Sequence, residues 1–117
     1  MRERQRRDRA ATQVMRDRFP QYASLRLTFD FKDAGPFTPA PQVQVLHPPA
    51  RTYFVFPCPY ADCDGEFNLT DVVARLARED AERTEGQLTC CGQRAREREL
   101  RSPCQLQLDY SIVAQRA

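Results

Sequence analysis

The 117-residue chain has no apolar run longer than a few residues, a single His, a single Lys and only four Gly. Without a long apolar stretch no segment can span a bilayer. The Arg-rich start, Met1 to Arg7, has no apolar run behind it, so no secretory signal, no membrane partner and a cytoplasmic location are expected. His47 is the one candidate for a histidine base, and its place before Pro48 and Pro49 suits a turn. No paired-carboxylate motif, Gly-rich phosphate loop or nucleophile elbow occurs, so catalysis is not expected. Aliphatic residues and Phe are also scarce: Leu, Ile, Val and Phe number 24, near the edge of what a chain needs to order itself. A core this thin calls for a further source of stability.

Charge is present but nearly balanced, at +2 overall, which by itself implies no nucleic-acid partner. Residues 1–18 hold seven Arg against Glu3, Asp8 and Asp17, a local balance of +4, and the remainder is near −2. All basic residues but Lys32 are Arg. A GC-rich genome accounts for that bias, while the guanidinium fork also suits phosphate or carboxylate recognition.

Residues 1–20 read as a basic leader, helical or disordered, of which residues 1–10 bury nothing and Ala11, Val14 and Met15 form a weak apolar stripe, and residues 21–117 as a single domain. Leu25 to Phe31 alternates apolar and polar residues, as a half-buried strand does, with Leu25, Leu27, Phe29 and Phe31 on one face. Pro- and Gly-containing residues 33–41 form a loop, and 42–46 and 52–57 give two further strands. Leu69, Val72, Val73, Leu76 and Ala77 recur at helical spacing and predict one main helix over about 69–82. Asn68 or Thr70 can cap it, and the acidic residues that crowd its end should fray the last turn. Residues 87–90 and 105–113 complete the strands, with Leu106, Leu108, Tyr110 and Ile112 facing one way. The expected fold is small α+β: an antiparallel sheet of all five strands, crossed by one helix.

The five Cys carry the chemistry. Cys58 and Cys63 lie in the run Cys58-Pro-Tyr-Ala-Asp-Cys63-Asp-Gly65, and Cys90, Cys91 and Cys104 follow. In a reducing compartment such residues are more often metal ligands or small buried apolar groups than disulfides. Two Cys a few residues apart on a turn can direct both sulfurs at one ion, and the turn's N–H groups can share the thiolate charge. Cys63-Asp-Gly65 and Cys90-Cys91-Gly92 share a Cys-x-Gly spacing, which puts Cys90 in register with Cys63. Gly at the third position would permit a positive φ. No Cys-x-x-Cys redox motif is present.

Over Tyr53 to Val113 this arrangement resembles the zinc-ribbon superfamily, in which two Cys-bearing turns joined to strands close one structural zinc ion. The resemblance implies Cys58, Cys63, Cys90 and Cys104 as ligands and zinc as the cofactor, with a closed site. The chain departs from the pattern in its Cys-x4-Cys first pair and in the thirteen residues between Cys90 and Cys104, which must loop out and return. Cys91 and His47 are the alternative ligands. The resemblance, with Arg94, Arg96, Arg98 and Arg101 in one loop, suggests a zinc-binding module associated with nucleic acid. The alternative is a protein-interaction or structural zinc module, favoured by the interruption of those Arg by Glu97 and Glu99.

Overall fold

The computed structural model describes residues 3–33, 38–95 and 101–117, with Arg101 described by its backbone only. The architecture is α+β. Two short helices come first, α1 (Glu3–Ala11) and α2 (Met15–Arg18). Strands β1 (Tyr22–Lys32), β2 (Gln42–Leu46), β3 (Val55–Pro57) and β4 (Glu66–Asn68) lead to the main helix α3 (Thr70–Arg78). Strands β5 (Arg83–Thr89), β6 (Gln93–Ala95), β7 (Arg101–Pro103) and β8 (Gln107–Arg116) complete the chain. No helix among the described residues is long and apolar enough to cross a membrane.

A four-stranded antiparallel sheet in the order β2-β1-β8-β5 is the frame. Its alternation follows the sequence. Leu25, Leu27, Phe29 and Phe31 of β1 and Leu108, Tyr110 and Ile112 of β8 are buried on the inner face, together with Leu106 just before β8. The segment 52–57 was expected in this sheet and is not. Its last residues, β3, pair instead with β4 in a separate two-stranded ribbon. The ribbon lies on the inner face, where the Phe56 ring meets Phe29 edge-on at 5.0 Å and the Phe67 ring lies 6.3 Å from Phe31.

Helix α3 closes the rest of that face with Leu76 and Val73, and Leu69 just ahead of it is also buried. The Asn68 Oδ1 accepts from the Thr70 N–H at 2.9 Å and so satisfies one free donor of the first turn. The helix stops before 82 because Asp80 adopts φ 52°. The Ala81 N–H then reaches back to the Leu76 carbonyl and the Asp80 N–H to that of Ala77, a Schellman ending with Asp in the usual glycine position. Residues 83–86 are thereby released to lengthen β5, which pairs with β8 from Arg83 to Thr89. Arg116 fixes this corner by donating to Glu82 at 2.6 Å and to the Asp80 carboxylate and carbonyl at 2.9 and 2.6 Å.

The leader also differs from expectation. Helix α1 is docked: Gln5 is buried and donates to Glu66 at 3.1 Å, and Arg4 pairs with the same carboxylate at 2.9 Å. After it, Met15 and Phe19 enter the core.

Candidate metal centre

Strands β3 and β4 present the first Cys turn, and the end of β5 presents the second. The four sulfurs of Cys58, Cys63, Cys90 and Cys104 all lie within 4.8 Å of one another, and every one of these residues is buried. The Cys58 and Cys104 sulfurs are 3.7 Å apart, and those of Cys63 and Cys90 are 3.6 Å apart. These separations are far too long for disulfides, whose S–S bond is about 2.05 Å. They match a tetrahedron with metal–sulfur bonds of about 2.3 Å, whose edges are about 3.8 Å. The cluster could hold one metal ion.

The two turns have the same internal construction. The Gly65 N–H donates to the Cys63 sulfur at 3.3 Å, and the Gly92 N–H donates to the Cys90 sulfur at 3.4 Å. The Gly65 carbonyl accepts from the Cys58 N–H at 3.0 Å, and the Gly92 carbonyl accepts from the Cys104 N–H at 3.0 Å. Each Cys-x-Gly turn thus carries one ligand and orients a second. The second ligand precedes the turn in one half and follows it in the other.

The glycines serve a purpose other than the expected positive φ, which neither adopts. A Cβ on Gly65 would lie 2.4 Å from the Cys90 sulfur and 2.9 Å from the Gly92 Cα. One on Gly92 would lie 2.4 Å from the Gly65 backbone. The two turns meet backbone to backbone, and a side chain at either position would hold them apart.

Residues 94–102 were expected as a loop and are framed by a hairpin. Strands β6 and β7 pair Gln93 with Pro103, Arg94 with Ser102 and Ala95 with Arg101, which returns the chain beside Gly92. The first turn clamps this hairpin. Gln93 N–H donates to the Asp64 Oδ1 at 2.7 Å, Asp64 N–H to the Gln93 carbonyl at 3.2 Å, and Ala95 N–H to the Asp62 carbonyl at 2.9 Å. Nothing in the residue spacing signals this clamp, although the acids flanking Cys63 mark where hydrogen-bond acceptors are available.

Arg94 belongs to the same clamp. Its guanidinium bonds the Asp62 carboxylate at 3.1 Å and lies 4.0 Å over the Tyr60 ring, whose hydroxyl donates to Asp33. It is therefore spent on intramolecular partners rather than held out toward an external one. Arg96 and Arg98, with Glu97 and Glu99, lie outside the described residues, as does the side chain of Arg101.

Cys91 and His47 are not in the cluster. The Cys91 side chain is exposed and turns to the Thr89 carbonyl at 3.6 Å. His47 sits at the end of β2, where its carbonyl accepts from Ala50 N–H in a turn. Burial raises the Cys58 thiol and pushes Cys90 up to about 12. At Cys63 burial acts in the same sense, but the Gly65 N–H and the neighbouring thiols outweigh it and hold that group below its ordinary value. Coordination to a dication would override these differences, because it deprotonates a ligating thiol outright.

Comparison with protein families, curated proteins and solved structures finds no match for the chain. The fold and the site together define a small α+β protein with a buried four-cysteine cluster that could bind a metal.

Proposed function

We propose that the four thiolates hold one structural zinc ion, and that the protein is a non-catalytic, zinc-stabilised binding module. The observation that carries this reading is the buried set of four sulfurs within 4.8 Å of one another, two pairs of which are 3.6 and 3.7 Å apart. Four thiolates suit zinc, and a full set of protein ligands leaves no open position for a substrate or activated water. Four thiolates around a dication leave a charge of −2. The N–H groups of Gly65 and Gly92 and the nearby Arg94 cation offset it.

The binding role is association with nucleic acid, to which the exposed Arg6, Arg7 and Arg9 of α1 are available while Arg94 is committed to Asp62 and Tyr60, or, as the alternative, with protein. The two neighbouring cysteines test the zinc assignment. Cys90→Ser is expected to abolish stoichiometric zinc in elemental analysis, and Cys91→Ser to retain it. Zinc kept by the first variant and lost from the second would refute the ligand set.

A further inference from the structure

The only large hydrophobic side chains that stand exposed among the described residues are Val43 and Val45, at 51% and 49%. Both lie on β2, two residues apart and so on the same face of the sheet. β2 is also an edge strand: β1 pairs with one side of it, and among the described residues no strand pairs with the other. An edge of this kind presents unpaired N–H and C=O groups to any strand that can reach it.

The two edges of the sheet are treated differently. The opposite edge strand, β5, carries Arg83 and Glu85, charges of the kind that discourage edge-to-edge pairing. β2 reads Gln-Val-Gln-Val-Leu and carries none. Pro41 just before it and Pro48 just after it bound the segment that can pair, so a full five-residue overlap has one antiparallel register.

We propose that β2 is a dimerisation strand, through which two copies of this chain pair antiparallel about a two-fold axis at Gln44. In that register Gln42 faces Leu46 of the second copy, Val43 faces its Val45, and Gln44 faces its own equivalent. The four valines form one apolar cluster across the axis. No like charges meet along the paired strands themselves, because β2 has none. A recess of about 270 Å³ beside the strand, bordered by Arg9, Gln44, Arg51, Tyr53 and Val55, gives the second copy's Gln44 side chain room. The two four-stranded sheets become one of eight strands, and the contact is isologous, so it closes at a dimer. Pairing β2 with β5 of a second copy would instead be head-to-tail and open-ended, and the β5 charges oppose it. A five-strand-residue contact is small beside the roughly 800 Å² per partner of a standard interface, so the dimer should be reversible and concentration-dependent.

The register makes a charge test available, because position 43 meets position 45 of the other copy. Sedimentation of the full chain over a concentration series is compared for the wild type, V43K/V45K and V43E/V45K, with far-UV circular dichroism confirming that each is folded. The wild type should dimerise. V43K/V45K places Lys against Lys twice and should raise the dissociation constant by about tenfold or more. V43E/V45K has the same two positions charged but places Glu against Lys twice, and should dimerise clearly better than V43K/V45K. A wild type that stays monomeric throughout overturns the proposal. So does a dimer that both variants leave intact, which would lie on another surface. Equal loss in both variants overturns the register and with it the two-fold pairing.

Discussion

Cys90 and Cys91 are chemically identical and adjacent, yet one enters the cluster and the other faces solvent. Successive residues of extended chain point to opposite sides, which is enough to separate them. That choice was legible in the sequence, because Cys90 shares the Cys-x-Gly spacing with Cys63. The job of the glycines was not. A positive φ is a local property that a turn motif can suggest, whereas the contact of Gly65 with Gly92 joins turns that are distant in sequence and exists only in the folded chain. Gly65→Ala puts a methyl group 2.4 Å from the Cys90 sulfur, inside any tolerable separation. The neighbour is backbone and a ligand rather than the loose end of a side chain, so relief requires the turns to part. Zinc should then be lost to a competing chelator at least about tenfold more readily than in the wild type, a change of about 1.4 kcal/mol or more. A competition titration with a chromophoric chelator reads this directly, and unchanged affinity would show that the turns are not in close contact.

Among the elements, long alternating strands were the most legible and short pairings the least. β1 and β8 each run for ten residues or more with one face apolar, and periodicity alone identifies them. β4, β6 and β7 have three residues each and hold together by pairing and by the Cys turns, so no periodicity can reveal them, while the alternation over 52–57 marks β3 as a strand but not its pairing with β4. The end of α3 was misplaced because its stop depends on Asp80 in a left-handed conformation, a place where glycine is the usual signal. The docking of α1 was missed because it rests on polar contacts, from Gln5 and Arg4 to Glu66.

The corner after α3 is tied to the sheet by Tyr22, whose buried hydroxyl donates to the Ala81 carbonyl at 2.6 Å and approaches that of Leu76 at 3.3 Å. Tyr22→Phe should cost about 1–2 kcal/mol in denaturant unfolding, since it leaves a buried carbonyl without its donor. Burial first, and then the charges of Asp80 and Glu82, raise the Tyr22 pKa. A raised folded-state pKa means that the stabilisation is complete below the ordinary tyrosine value near 10 and is lost as pH rises through the raised one. The stability difference between wild type and variant should therefore shrink in alkali. A constant difference from neutral pH into that range would argue against the buried hydroxyl bond.

At the scale of the whole molecule, a modest core is joined to a four-cysteine cluster that could hold a metal ion. The inner face of the sheet is covered by α3 and by the β3–β4 ribbon, and the four Cys sit where that ribbon, the end of β5 and the β6–β7 hairpin converge. Bound zinc would thus link the two short β-ribbons to the sheet. Structural zinc contributes an apparent binding energy of about 10–16 kcal/mol at neutral pH, as large as the roughly 5–15 kcal/mol net stability of a typical domain. Without it, four buried thiols and three-residue strands have little to hold them in place. Native mass spectrometry of the intact chain, before and after a strong chelator, tests this most directly because it reads metal identity, stoichiometry and compactness in one spectrum. The account predicts one zinc ion per chain in a compact, low-charge envelope, and its removal together with a shift to the high charge states of an unfolded chain. A chain that carries no zinc, or a different metal, and keeps the same compact envelope after chelation would contradict it.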